Sequence, residues 1–128
     1  MPLRDVLKVL VVDDMSTSRG ILLQTLDALG LTQVSHAVDG RAGLSRVRSE
    51  RPHLVISDLY MPELNGLQLL QQIRHDPSIA TTAFILVSGR CSGDIAATGR
   101  RLGLNNILAK PYTAPQLRQA VEAVVGRL

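Results

Sequence analysis

The sequence predicts an α/β domain built as a doubly wound sheet of five parallel strands with helices on both faces. Short continuous apolar runs rich in Val, Ile and Leu recur along the chain, segments with helical spacing lie between them, and glycines and prolines punctuate the alternation at short intervals. Continuous runs, in contrast to alternating ones, indicate strands buried on both faces, hence a parallel sheet joined by right-handed crossovers. In such sheets a ligand sits outside the carboxyl ends of the strands, where the strand order reverses.

The first strand falls at Leu7–Val12, and the helix after it is marked by Leu22, Leu26 and Leu29 at i, i+4, i+7. A weaker run, Gln33–Val38, gives the second strand; Asp39 then caps a helix over Gly40–Val47. Leu54–Ser57 is the third strand. Asn65 opens the helix carrying Leu67, Leu70 and Ile73. Ala83–Val87 is the fourth strand, followed by a helix of only about ten residues within 89–103, a length marginal by itself. Ile107–Ala109 is the fifth strand. The last helix begins with a Thr113…Gln116 capping box, holds Pro115 in its first turn, and spaces Leu117, Val121, Val124, Val125 and Leu128 on one face.

A chain of 128 residues without linkers, repeats or low-complexity tracts reads as one domain over residues 1–128. Hydrophobic residues make up 45% and charged residues 20%, which excludes intrinsic disorder. Aromatics at 2% leave no platform for stacking bases. The lone Cys91 excludes an internal disulfide, no apolar run approaches the ~20 residues of a membrane span, and the first run ends in two acids, unlike a signal peptide. The expected location is the cytoplasm, with no membrane partner. The net charge of +3 is unevenly spread: Arg90, Arg100, Arg101, Lys110, Arg118 and Arg127 face only Asp94 and Glu122 in residues 89–128. With no cluster beyond Arg100–Arg101, an acidic protein partner is favoured over direct nucleic-acid binding.

Each strong apolar run ends in a polar residue: Asp13 and Asp14 after the first, Asp58 after the third, Ser88 after the fourth, Lys110 after the fifth. Taken singly, Asp14 reads as a helix cap, Asp58 as a loop starter, Ser88 as a turn residue and Lys110 as a surface charge. In a parallel sheet all of them converge on one edge. Two carboxylates ~4 Å apart repel by about 4 kcal/mol at an effective dielectric of ~20, so three must protonate or share a cation. Oxygen-only ligands favour a hard cation, Mg²⁺ above all. Lys110 offers a point charge to a phosphoryl oxygen and Ser88 a hydroxyl donor. The constellation points to phosphoryl chemistry on a carboxylate, with Asp58 as the acceptor.

The strings Val11-Val12-Asp13-Asp14, Ser57-Asp58-Leu59-Tyr60-Met61-Pro62…Asn65-Gly66, Ser88-Gly89 and Lys110-Pro111-Tyr112 resemble the receiver domain of bacterial response regulators over the entire chain. Lys8–Gly30 and Leu54–Ile73 are most similar to the single-domain, CheY-like chemotaxis group. The resemblance implies a flavodoxin-like strand order, 2-1-3-4-5. It implies that Asp58 takes a phosphoryl group from a histidine kinase, and that Asp13, Asp14, Asp58 and the Tyr60 backbone carbonyl hold Mg²⁺. Ser88 and Lys110 then grip the phosphoryl group. The protein is on this reading a switch and no enzyme, apart from catalysing its own phosphorylation and dephosphorylation. Its phosphorylated state would be read by a separate effector such as a flagellar motor switch component.

Two departures from the family pattern stand out. Ile107 occupies the position, three residues before the lysine, where the family often carries an aromatic that turns inward on activation. Tyr60 and Arg90 stand two residues beyond Asp58 and Ser88, where they either screen or contact the phosphoryl group or simply point to solvent. The segment 89–103 holds four glycines, and Gly99 in the helix interior costs ~1 kcal/mol relative to Ala. This helix, in place of an aromatic flip, is therefore the expected bistable element, and Gly99→Ala is expected to stabilise the domain by roughly 0.4–1 kcal/mol. Rival readings are an aspartyl-nucleophile phosphatase of the haloacid-dehalogenase kind, which carries its nucleophile on the first strand, and an interaction module of the same fold that is never phosphorylated. A dinucleotide site is disfavoured because the first strand leads into Asp13-Asp14-Met15, with no glycine-rich loop.

Overall fold

The computed structural model describes residues 1–128. Five strands, β1 (Lys8–Val12), β2 (Gln33–Ala37), β3 (Leu54–Asp58), β4 (Ala83–Ser88) and β5 (Asn106–Ala109), form one sheet in the order β2-β1-β3-β4-β5. Every pair is parallel, and β1 and β3 lie side by side with Val9 opposite Leu54 and Val12 opposite Ser57. Five helices follow the strands in turn: α2 (Ser16–Ala28), α3 (Gly40–Glu50), α4 (Gly66–His75), α5 (Gly93–Arg101) and α6 (Ala114–Val125). A four-residue turn of helix, α1 (Leu3–Val6), precedes β1 and buries nothing.

Alternation along the buried strands divides the core. Val9, Val11, Ile56 and Ile85 pack with Leu22, Leu26, Leu117 and Val121 beneath α2 and α6. Leu10, Val12, Val55, Phe84 and Leu86 pack with Val47, Leu69, Leu70 and Ile73 beneath α3 and α4. The central strands are thus apolar in both directions, which is why they read as unbroken runs.

Local chemistry sets the helix starts. The Asp39 carboxylate accepts the Ala42 N–H at 2.7 Å, and reciprocal capping boxes join Asn65 to Gln68 and Thr113 to Gln116. At the far end of α4, the Arg74 guanidinium donates to the carbonyls of Ala80, Thr82 and Gly103 and to the Asn105 side chain. One side chain thereby ties α4 to the start of β4 and to the loop leaving α5.

The packing of α5 bears on the expectation for Gly99. Gly99 is the only buried residue of that helix, and a Cβ there would lie 2.7 Å from Leu104 Cδ2 and 3.3 Å from Leu104 Cβ. A methyl at Gly99 would thus press on Leu104, which packs against the helix there, and this opposes the helix-propensity gain. Gly99→Ala should therefore destabilise the domain, by about 1–2 kcal/mol in urea titration, where propensity alone gives a gain. The rest of the α5 face is thin, with Ile95 and Leu102 only partly buried. No helix is long and apolar enough to cross a membrane.

Candidate acidic phosphoryl site

The carboxyl ends of β1, β3, β4 and β5 bring Asp13, Asp14, Asp58, Ser88 and Lys110 to one edge of the sheet. Asp13 follows directly on β1 and is 2% exposed. Its Oδ1 accepts the Met15 N–H at 3.0 Å, and its carbonyl accepts from Arg19 Nη1 at 2.8 Å, so the turn into α2 is fixed at both ends. Asp14 is exposed and caps nothing, since Met15 holds the N-cap position of α2 without a side-chain bond. The helix-cap reading of Asp14 is thereby removed. Asp58 is the last residue of β3 and is half-buried. One oxygen from each of Asp13, Asp14 and Asp58 lies within 4.8 Å of the others.

A single ammonium faces these three carboxylates. Lys110 Nζ stands 3.3 Å from Asp58 Oδ1 and 4.0 Å from Asp13 Oδ2. Burial pushes the Asp58 carboxyl above its ordinary value; Lys110 opposes that shift and the Asp13 charge adds to it. The half-buried Tyr112 phenol is likewise pushed up, by burial and then by Asp13, so it stays neutral beside the acids. An all-oxygen cluster with excess negative charge and no nitrogen or sulfur donor suits a hard divalent cation, and the residues present fit Mg²⁺.

The remaining expected residues are placed less simply. Ser88 is buried at the same edge, but its hydroxyl is engaged within its own loop, donating to the Arg90 carbonyl at 3.1 Å and accepting the Arg90 N–H at 3.0 Å. Tyr60 and Arg90 are both exposed. Ile107 lies half-buried on β5, opposite Leu86 and against the α3–α4 side of the core. Gly99 is away from the edge, in α5. Sequence reasoning missed Ser18, whose Oγ accepts from Lys110 Nζ at 2.9 Å across 92 residues of sequence.

The sequence profile of the response regulator receiver domain matches residues 9–122. The chain belongs to the response regulator receiver family. It is 39% identical over 128 residues to a probable chemotaxis protein CheY of Rhizobium etli, covering all of this chain and 99% of that one. It is 30% identical to the chemotaxis protein CheY of Pseudomonas aeruginosa, over 95% of this chain and 98% of that one. Among solved structures, Vibrio cholerae chemotaxis protein CheY4 superposes with a TM-score of 0.86 at 28% identity, over 92% of this receiver and 98% of the other. The predicted fold class and strand order both hold. A receiver of this CheY-like kind is a phosphorylation-regulated switch of two-component signalling and no conventional enzyme, which disposes of the phosphatase reading.

Proposed function

We propose that residues 1–128 act as a single receiver unit that takes a phosphoryl group on Asp58 from the phosphohistidine of a histidine kinase and carries the signal, in chemotaxis, to a separate protein in the cytoplasm. The observation that supports this reading is the convergence of Asp13, Asp14, Asp58 and Lys110 at one sheet edge. The names of the relatives, chemotaxis proteins in each case, support the pathway.

Asp13, Asp14, Asp58 and the Tyr60 carbonyl would hold Mg²⁺, which offsets carboxylate charge and polarises a phosphoryl oxygen when bound. An ionised Asp58 oxygen attacks phosphorus, the P–N bond of the phosphohistidine breaks, and an acyl phosphate forms. Lys110 moves its ammonium onto a phosphoryl oxygen. Ser88 exchanges its bonds with the Arg90 backbone for one to the phosphoryl group, pulling on the loop that enters α5. That helix is the moving element: its face is thin, and the loop before it is exposed. Ile107, lacking a ring, takes no part in an aromatic flip. We read the exposed Tyr60 and Arg90 side chains, two residues beyond Asp58 and Ser88, as a screen that slows the attack of water, which restores the carboxylate and releases phosphate. The effector is read as a protein with an acidic face, such as a flagellar motor switch component, because the last third of the chain is basic.

Acetyl phosphate with Mg²⁺ should add the mass of one phosphoryl group to the intact protein, and EDTA should prevent it. A folded protein that gains no mass under these conditions overturns the reading. Asp14→Ala should weaken Mg²⁺ binding by ten-fold or more in calorimetry, on the scale of one lost charged ligand, while metal-free stability holds or rises because a like charge is gone.

A further inference from the structure

The geometry points to Ser18 as the positioning residue that keeps Lys110 from closing the cation site. The shortest polar contact of the Lys110 ammonium is to neither carboxylate. It is 2.9 Å to Ser18 Oγ, against 3.3 Å to Asp58 Oδ1 and 4.0 Å to Asp13 Oδ2. Ser18 stands in the first turn of α2, a position from which a hydroxyl could cap the helix, yet its hydrogen bond goes to Lys110. The lysine side chain is 28% exposed.

Electrostatics alone would draw that ammonium in among Asp13, Asp14 and Asp58, onto the same oxygens that a divalent cation requires. A neutral acceptor on α2 satisfies one of its three N–H donors and adds no negative charge. Lys110 is then kept at the rim, close enough to Asp58 to meet an incoming phosphoryl oxygen and far enough from Asp13 to leave the cluster open. The inference rests on the proposed reading of Asp13, Asp14 and Asp58 as a Mg²⁺ site.

Without the Ser18 hydroxyl, the ammonium moves toward Asp58 and Asp13 and competes with the cation. Calorimetric titration with Mg²⁺ should show Ser18→Ala weakened by about ten-fold or more, the scale of one hydrogen bond to a charged group. Ser18→Thr, which keeps the hydroxyl, should bind Mg²⁺ within about two-fold of the unaltered protein, a difference well below that of one such bond. Lys110→Met should tighten Mg²⁺ binding, and adding Ser18→Ala to that background should change nothing, because Ser18 acts only through the lysine. Uptake from acetyl phosphate should split the same way: Ser18→Ala raises the Mg²⁺ concentration for half-maximal rate and leaves the rate at saturating Mg²⁺ unchanged. If Lys110→Met tightens Mg²⁺ binding and Ser18→Ala leaves it unaltered, the role of Ser18 is overturned and the site reading stands. If the unaltered protein binds no Mg²⁺, both fall.

Discussion

Asp58→Asn should abolish phosphoryl uptake from acetyl phosphate and, in the same protein, raise metal-free stability. The first effect follows from the loss of the only nucleophilic oxygen the proposed reaction uses. The second follows from the position of Asp58: burial and the Asp13 carboxylate disfavour its charged form, and Lys110 offsets this only in part. A carboxyl pushed above its ordinary value contributes stability that is fully present below its unfolded-state titration and is lost as pH rises through the folded-state one. The stability advantage of the variant should therefore be small in acid and grow as pH rises past the ordinary carboxylate range. A gain on the order of 1 kcal/mol near neutrality would move Tm by about 3–5 °C for a domain of this size. Thermal melts in EDTA across pH measure it. A variant less stable than the unaltered protein at neutral pH would mean that Lys110 overcompensates the repulsion.

Gly66→Ala should be the most damaging single-methyl change near the site. Gly66 is the first residue of α4, and its N–H donates to the Leu59 carbonyl at 2.8 Å. An added Cβ would run into the Asp58 carbonyl oxygen and lie 2.7 Å from Leu86 Cδ1 and 3.1 Å from Leu59 Cα. Two of those three obstacles are backbone and cannot swing aside as a side chain can. The expected cost is about 3 kcal/mol in urea unfolding, at the upper end of overpacking. Because the contact pushes on Asp58 itself, the folded fraction should also take up phosphoryl groups more slowly. Gly20→Ala is the internal control: no atom lies within 4 Å of its Cβ position, and the change should stabilise α2 by about 0.4–1 kcal/mol.

The strands were legible because burial on both faces leaves an unbroken apolar run, and the runs predicted at 54–57 and 83–87 fall one residue short of β3 and β4. The polar residues ending each run were legible for the same reason: the run stops where the chain leaves the core. Asp39 and Thr113 announced their helices through short-range capping, which sequence spacing captures directly. Strand order came only through family resemblance, since periodicity does not say which strand neighbours which. The turn α1 is too short to show a period. The contact of Leu104 with Gly99 was not legible, because propensity describes a helix alone. Ser18 was invisible because its partner is Lys110, and a serine in a first helical turn reads as local chemistry.

The placement of Asp13, Asp58 and Lys110 also bears on how the chain matures. These residues lie at the ends of the first, third and last strands, and β1 pairs directly with β3, which follows β2 in the chain. Such long-range pairing is slow and cooperative, because loop entropy is lost before contacts compensate for it. A chain that stops short of β5 carries Asp13, Asp14 and Asp58 but not Lys110, and so has no ammonium at that edge to present to a phosphoryl oxygen. On the proposed reading, the full set of groups that meets a phosphoryl group is assembled only when the last strand has joined the sheet.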